Sequence, residues 1–171
     1  PQGNGIARSS REIMYNHAPD GYDCPFCALA GGTGDALSTQ ADIVFRDATV
    51  TAFVASHQWP NNAGAVIIIP NKHFENIYDL PMHLGADIQR IAAMVALAMK
   101  AAYRCDGIST RQHNEPAGNQ DVWHYHLHVT PRYTGDTFYS LYLTQRRLMP
   151  AEERVDYARR LRAYLPPFAS A

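Results

Sequence analysis

Three histidines alternate with apolar residues in the C-terminal half of this 171-residue chain. Residues 124–129 read His-Tyr-His-Leu-His-Val. In an extended strand alternate side chains lie on the same face, so the pattern predicts one face of imidazoles and one apolar face that packs. Imidazole titrates near neutral pH, and it serves as a metal ligand or as a nucleophile. Exposed or hydrogen-bonded histidines without a further role are the alternative, which is less favoured for three in register.

The spacing of the histidines argues against one metal ion held by all three. Residues i and i+4 of a regular strand lie about 13 Å apart at a rise of ~3.3 Å per residue. His124 and His128 therefore cannot bind the same ion on a regular strand. We expect the three imidazoles to have separate tasks.

Cys24 and Cys27 form a Cys-x-x-Cys pair whose spacing suits one tetrahedral Zn²⁺. A redox pair and two buried thiols are the competing interpretations, although no thioredoxin-like βαβ pattern surrounds the pair. The chain has three cysteines, an odd number. In a chain large enough to bury its own core this favours a reducing compartment, which predicts a cytoplasmic location. Cys105 is interpreted as a small buried apolar residue.

The hydrophobic patterning predicts the elements that must position these residues. Predicted strands cover residues 43–45, 50–54, 66–69, 107–112 and 122–130, the last ended by Pro131, and predicted helices cover residues 81–103 and 151–165. The order of strands, helix, strands and helix indicates an α+β fold. We expect a mainly antiparallel five-stranded sheet with one long helix and a C-terminal helix.

The charge balance and the apolar runs exclude several classes of partner. The chain has 15 Lys and Arg against 16 Asp and Glu, which provides no broad basic field for nucleic acid or an anionic membrane. The longest apolar runs, residues 65–69 and 91–99, are shorter than the roughly 18 to 20 residues that cross a bilayer. The first residues have neither a basic nor an apolar region typical of a secretory signal. We expect no nucleic-acid partner and no membrane partner.

Residues 114–132 resemble the signature of the histidine-triad (HIT) superfamily of nucleotide hydrolases and transferases. The resemblance covers about residues 23–136, and residues 131–136 are similar to the stretch that follows the motif in the dinucleoside-polyphosphate hydrolase branch. Further positions fall in the family's order, namely Phe53, Pro60, Gly64, the run 66–70, His73 and Leu80. The resemblance implies a HIT-like fold and a nucleotide substrate.

Composition and periodicity outside residues 23–136, taken with the resemblance, predict a domain organisation, and the resemblance also implies an assembly. We predict a flexible N-terminal arm over residues 1–22, a HIT-like catalytic domain with a zinc knuckle over residues 23–148, and a C-terminal helix and tail over residues 149–171. Family members are usually homodimers joined through the long helix and the adjacent strand, so a homodimer is expected here.

The mechanism implied by the resemblance assigns the middle histidine to chemistry. His126 would attack the α-phosphorus of a nucleotide and form a nucleotidyl-histidine, while His128 would donate to phosphate oxygens or handle protons. The implied activity is hydrolysis of nucleoside phosphoramidates or dinucleoside polyphosphates. A nucleotidyltransferase or phosphorylase with the same intermediate, and a nucleotide-binding interaction protein with little turnover, are the alternatives.

Four residues match substrate-side positions of the family. Asn114 and Gln120 match polar positions beside the phosphate. Asp121 stands where a Ser or Thr hydroxyl often contacts phosphate. Because a carboxylate repels phosphate, only the backbone N–H of Asp121 is expected to bind it. His57 stands where a ribose-binding Asp or Asn is common, and a polar strand-end residue is an equally favoured interpretation.

The resemblance to bacterial zinc-containing members implies a Cys₂His₂ site. Its ligands would be Cys24, Cys27, His73 and His124. Four protein ligands fill a tetrahedral site, so the zinc would be structural, with about one ion per chain. His73 and the histidine motif make the redox interpretation of the cysteines improbable.

Overall fold

The computed structural model describes residues 15–142 and 144–168. Residues 1–14 of the predicted arm lie outside the described residues, and the predicted division into three segments stays a prediction. The strands are β1 Ile43–Arg46, β2 Val50–Val54, β3 His57–Gln58, β4 Val66–Pro70, β5 Gly107–Gln112, β6 Leu127–Arg132 and β7 Arg147–Leu148. The helices are α1 Pro25–Ala30, α2 Met82–Tyr103, α3 Phe138–Leu141 and α4 Ala151–Arg162, with short 3₁₀ turns at Gln40–Asp42 and Pro116–Gly118.

The main sheet has five antiparallel strands in the order β1-β2-β4-β6-β5. A second small sheet pairs β3 with β7. The prediction of an α+β fold with an antiparallel five-stranded sheet, a long helix and a C-terminal helix is confirmed. Neither the small sheet nor α3 was predicted, because two-residue strands and a four-residue helix are too short to show periodicity.

The central strands β2 and β4 are buried on both faces, which explains why β4 is a continuous apolar run and β2 is apolar except for Thr51. One face packs against α2 and α4, and the other packs against α1. No helix in the described part of the chain is long and apolar enough to cross a membrane. The buried stripe of α2 consists of Leu84, Ile88, Ile91, Ala92, Val95, Ala98 and Met99.

Strand β6 differs at both ends from the predicted strand 122–130. It begins only at Leu127, because the Tyr125 N–H bonds to the Phe74 carbonyl instead of joining the ladder. At its other end β6 runs through Pro131 instead of stopping there. The pairing of β6 with β4 ends at Val129. On that side of the strand the Pro131 carbonyl accepts a hydrogen bond from the Asn62 amide, so the N–H that proline lacks is not needed for pairing with β4.

Helix α1 begins inside the Cys-x-x-Cys pair, where the sequence predicts a knuckle. Cys24 is the N-cap residue, and its Sγ accepts a hydrogen bond from the Cys27 N–H at 3.4 Å. Pro25 occupies the first helical position, where its missing N–H is not needed. The helix therefore presents both sulfur atoms from its first turn.

A buried ion pair attaches α4 to the start of the sheet. Arg154 Nε lies 3.1 Å from Asp42 Oδ1, and both side chains are inaccessible to solvent or nearly so. Arg154 also donates to the Met149 carbonyl at 2.8 Å. The sequence predicts a C-terminal helix here, and Arg154 is buried on it together with Ala158 and Leu161.

We expect Asp42→Ala to lower the free energy of unfolding by about 3 to 5 kcal/mol, because the buried guanidinium of Arg154 loses its counter-charge. Urea unfolding curves would measure the change. Asp156→Ala is the matched control, because it breaks an exposed pair with Arg159, for which we expect a loss below about 1 kcal/mol. Equal losses in the two variants would contradict the assignment of the Asp42 pair as a stabilising contact.

Candidate functional site

Four cysteine and histidine side chains converge on the α1 face of the sheet. The ligand atoms of Cys24, Cys27, His73 and His124 all lie within 4.8 Å of one another. Cys24 Sγ is 3.3 Å from His124 Nδ1, and Cys27 Sγ is 3.3 Å from His73 Nδ1. The cysteines come from the start of α1, His73 follows β4, and His124 precedes β6. We call these four residues the Cys/His cluster.

The donor atoms of the Cys/His cluster fit Zn²⁺. A tetrahedral zinc with ordinary ligand bonds separates sulfur from nitrogen by roughly 3.5 Å. The observed separations between sulfur and nitrogen include 3.3 Å and, from Cys27 Sγ to His124 Nδ1, 3.6 Å. His124 Nε2 lies 3.0 Å from the Pro70 carbonyl oxygen, and its N–H donates a hydrogen bond to that oxygen. Nδ1 is then unprotonated and faces the sulfur atoms.

Electrostatics in the cluster favour a bound cation. Burial lowers the pKa of His124 to about 4, so its ring is neutral and available as a ligand. Burial, together with the hydrogen bond and charge of Cys24, raises the pKa of Cys27 to about 12. Two thiols this close resist joint ionisation unless a metal ion compensates the charge.

His126 lies next to the cluster with one nitrogen fixed and one free. Its ring is 2% exposed, and its Nδ1 lies 2.7 Å from the His124 carbonyl oxygen. A carbonyl only accepts, so Nδ1 carries the proton and Nε2 carries the lone pair. Burial lowers the pKa of His126. This ring therefore presents a neutral nucleophilic nitrogen.

His128 lies beside His126 on the same face, with ring centroids 5.0 Å apart. In the part of the chain that the structure describes, no hydrogen bond engages its ring. Burial holds the pKa of His128 well below its usual value, and the nearby His126 and Arg111 lower it further. His128 is therefore a neutral imidazole that is available to a ligand.

Arg111 is the cross-strand neighbour of His128 and is enclosed by aromatic rings. Its guanidinium carbon lies 3.8 Å from the ring centroid of Tyr142, 4.5 Å from that of Phe138 and 5.2 Å from that of Trp59. Its Nε and Nη2 atoms are buried without a hydrogen-bond partner among the described residues. Cation–π attraction therefore holds a positive charge next to His128.

A cavity of about 380 Å³ lies against His126 and His128, and we call it the histidine cavity. This volume suits a small-molecule ligand. A cavity of about 600 Å³ lies beside Arg162 and Phe168, but no histidine among the described residues lines it. The lining of the histidine cavity combines apolar residues, including Pro25, Phe26, Leu37, Phe53 and Ile67, with polar residues, including His57, His113, Asn119, Asp121 and Arg146.

The structure places most of the predicted site residues in one of two groups. Besides the two histidines, Asp121 and His57 line the histidine cavity. His57 bonds to Ser56 Oγ at 3.1 Å, and burial, with the charge of Arg146 adding to it, lowers its pKa. The predicted zinc ligands are the members of the Cys/His cluster.

Asn114 and Gln120 do not line the histidine cavity. Asn114 Oδ1 accepts from the Ile77 N–H at 2.8 Å, and the amide of Gln120 donates to the Glu75 carbonyl at 2.6 Å. Gln120 Oε1 also accepts from the Glu115 N–H at 2.8 Å. Both side chains brace the loop before the histidine segment, and their substrate-binding role stays a prediction.

The lining residues that sequence reasoning did not assign to the site include Arg146, Tyr142 and His113. Arg146 and Tyr142 lie in a stretch without periodicity or motif, so no sequence signal marks them. His113 offered a weak signal, because it directly precedes Asn114 and directly follows β5. Its Nδ1 lies 2.6 Å from the Gly118 carbonyl, which fixes its ring at the edge of the cavity.

Comparison with known proteins agrees with this geometry. A family model described as the HIT domain matches residues 37–135. Protein hit of Bacillus subtilis is 31% identical over 123 residues, which cover 71% of this chain and 80% of that protein. An adenosine 5'-monophosphoramidase of Saccharomyces cerevisiae is 33% identical over 73 residues, which cover 43% of this chain and 44% of that enzyme.

A solved structure adds a zinc-bound protein to the similar chains. A Zn-bound histidine triad family protein of Mycobacterium smegmatis has a TM-score of 0.67 to this chain at 26% identity, and the match covers 83% of this chain and 92% of that chain. The family model begins at residue 37, after Cys24 and Cys27. The fit of the Cys/His cluster to zinc therefore rests on its own geometry and on this neighbour.

Burial of His128 predicts a pH-dependent stability. An unfolded histidine has a pKa of about 6.5, so below that pH the unfolded chain binds more protons than the folded chain, and the free energy of unfolding falls as the pH falls. We expect His128→Gln to lose less stability between about pH 7 and about pH 5 than the unchanged chain does. Urea unfolding at a series of pH values would measure both slopes.

The state of the neighbouring ring provides an internal check. Histidine ¹⁵N spectra should show His126 as the Nδ1–H tautomer, as its bond to the His124 carbonyl requires. An Nε2–H tautomer would contradict the assignment of the nucleophilic nitrogen. Identical pH slopes in the unchanged chain and in His128→Gln would contradict the lowered pKa of His128.

Proposed function

Because this chain belongs to the HIT domain family, we propose that it is a nucleotide hydrolase that acts on nucleoside phosphoramidates or dinucleoside polyphosphates through a covalent intermediate on His126. Members of the family are typically nucleotide hydrolases or transferases. The observation that carries the proposal is the orientation of His126, whose Nδ1 is bonded to the His124 carbonyl while Nε2 borders the histidine cavity.

The first step is an attack by His126 Nε2 on the α-phosphorus. A bond forms between Nε2 and phosphorus, and the bond from phosphorus to the leaving group breaks with its electron pair. The ring becomes positive as it bonds, and its Nδ1–H, 2.7 Å from the His124 carbonyl oxygen, is stabilised by that acceptor. The lowered pKa of His126 keeps the attacking nitrogen free of a proton at neutral pH.

The second step returns the enzyme to its starting state. Water attacks the phosphorus, the bond from phosphorus to Nε2 breaks with its electron pair returning to the ring, the proton of the water passes to solvent, and a nucleoside monophosphate leaves. The ring centroid of His128 lies 5.0 Å from that of His126. The neutral ring of His128 donates its N–H to a phosphoryl oxygen as negative charge develops there. Two moderate barriers replace one large barrier.

The apolar and the polar residues that line the histidine cavity suit different parts of the substrate. A nucleobase fits the apolar residues, among which Phe26, Leu37 and Ile67 offer flat and aliphatic contact. His57 lines the same cavity and, as a neutral ring, exchanges a hydrogen bond with a ribose hydroxyl. The phosphates then face His126 and His128, which is the arrangement that in-line attack requires.

We propose a structural zinc in the Cys/His cluster. Cys24, Cys27, His73 and His124 would hold it, and the ion would supply a fixed link between α1 and the segment before β6 with no open coordination position. The donor separations and the outer hydrogen bond from His124 to Pro70 support this site.

A homodimer and a cytoplasmic location stay predictions. Strand β5 is at the edge of the main sheet, which leaves one of its sides available for pairing within the described chain. Leu97 on α2 is 71% exposed although it is large and apolar. Both features support an interface formed by this strand and helix.

We expect His126→Ala to lower kcat roughly 10³-fold or more, as loss of a nucleophile does in other enzymes. Release of nucleoside monophosphate from adenosine phosphoramidate and from diadenosine polyphosphates would be measured, with and without a phosphate acceptor that would reveal a transferase. His83→Ala is the control, because this histidine is exposed on α2 and does not line the cavity. Equal turnover by His126→Ala and the unchanged chain would refute the mechanism.

We expect Cys24→Ser to lose the bound zinc and to lower the thermal unfolding temperature, because a filled site contributes on the order of 10 kcal/mol of apparent folding energy. Elemental analysis of protein purified without chelator would measure the metal. Cys105→Ala serves as the control, since Cys105 lies in the core and outside the Cys/His cluster. Metal-free protein in which Cys24 and Cys27 react with alkylating reagent in the native state would contradict the site.

A further inference from the structure

An ion pair joins two residues that line the histidine cavity. Arg146 Nη1 donates to Asp121 Oδ2 at 2.9 Å. Their side chains are 46% and 53% exposed, respectively. Asp121 lies just before the histidine segment, and Arg146 directly precedes β7. The pair therefore joins two segments that border the cavity from different parts of the chain.

The other oxygen of the same carboxylate faces the nucleophile. Asp121 Oδ1 lies 3.9 Å from His126 Nε2. The second ring nitrogen of His126 is bonded to the His124 carbonyl, so Nε2 is the nitrogen that remains for a substrate. The carboxylate thus lies beside the nitrogen that a phosphoryl group has to approach.

The lining of the histidine cavity is poor in positive charge. Among the described lining residues, Arg146 is the one arginine or lysine, whereas Asp35 and Asp121 both carry carboxylates. Asp35 already accepts hydrogen bonds from the Leu37 and Ser38 N–H groups, both at 2.8 Å. A nucleotide carries several negative charges, and among the described lining residues Arg146 is the one permanently positive side chain that can bind them.

We propose that Arg146 binds a phosphate of the nucleotide substrate and that Asp121 is an internal competitor which this phosphate displaces. This inference rests on the function proposed above. A guanidinium forms paired hydrogen bonds with phosphate as it does with carboxylate. An ion pair between exposed side chains is weak, so it is easily exchanged. Once displaced, Asp121 turns to solvent, and this also removes its repulsion of the phosphate.

The phosphate in question is the one next to the phosphorus under attack. Arg146 Nη1 and His126 Nε2 lie beside different oxygens of the Asp121 carboxylate, at 2.9 Å and 3.9 Å, and on this placement we assign Arg146 to the phosphate that follows the reacting phosphorus. A dinucleoside polyphosphate carries a charged phosphate there, in its leaving group. A nucleoside phosphoramidate has an amine there instead. Arg146 therefore favours dinucleoside polyphosphates over phosphoramidates.

Steady-state hydrolysis by the full chain tests this role with two substrates. We expect Arg146→Ala to lower kcat/KM for diadenosine triphosphate roughly 10- to 100-fold, the range for a lost charge-assisted hydrogen bond. For adenosine 5'-phosphoramidate the change should stay below about threefold. Asp121→Asn should lower KM for diadenosine triphosphate, and this gain should be smaller in the double variant, because the competition acts through Arg146.

Arg159→Ala is the matched control. Arg159 also forms an exposed pair with an aspartate, at 2.6 Å from Asp156, but it lies on α4 and does not line the histidine cavity. We expect both kcat/KM values of this variant to stay within about twofold of the unchanged chain. Equal losses for the two substrates in Arg146→Ala, or no loss for either, overturn the assignment. An unchanged or raised KM in Asp121→Asn overturns the competitor role.

Equilibrium binding of AMP and ADP, measured by titration calorimetry, distinguishes this inference from the proposed function. If the unchanged chain hydrolyses neither substrate, the hydrolase proposal fails, and the binding data then decide the role of Arg146. A preference for ADP that disappears in Arg146→Ala supports the phosphate site. The same preference in both proteins, or no binding of either nucleotide, overturns it.

Discussion

The hydrogen bond from the His126 ring to the His124 carbonyl is the contact on which the candidate site depends. It fixes the tautomer of His126, so that Nε2 faces the cavity with its lone pair. The carbonyl is available because β6 begins only at Leu127, which leaves the preceding residues outside the sheet ladder. A longer strand would have committed this oxygen to a neighbouring strand. The proposed chemistry therefore requires that the pairing of β6 begin after His124.

The side chain of His124 belongs to the Cys/His cluster, so the cluster and the nucleophile share one residue. Helix α1 adds a second connection, because Phe26 packs edge-on against the rings of both His124 and His126, at centroid distances of 5.9 and 5.4 Å. His124, whose carbonyl accepts the hydrogen bond from His126 Nδ1, is thus fixed by the contacts of its ring with the cysteines and with Phe26. This arrangement explains how a short helix without a long apolar stripe contributes to the site.

The elements that the sequence predicts well are those with a sustained pattern. Helix α2 shows its apolar stripe over 22 residues, and the β-branched run of β4 indicates burial on both faces. The alternation of histidines also indicates separate tasks, and the structure places His124 with the cysteines and the other two in the cavity. Long-range contacts leave no such pattern. Arg146 reaches Asp121 across 25 positions of sequence, and nothing in its neighbours marks that contact.

The aromatic enclosure of Arg111 gives the two arginines near the site different responses to ionic strength. Dissolved ions screen charges that face water, and the exposed pair of Arg146 with Asp121 is of this kind. The guanidinium of Arg111 is covered by three aromatic rings, with two of its nitrogens shielded from solvent, so counter-ions approach it far less closely. Its field at His128 consequently persists in concentrated salt, while the charge at the cavity mouth is attenuated. Salt thus acts on capture of the substrate and leaves the environment of the reacting groups largely intact.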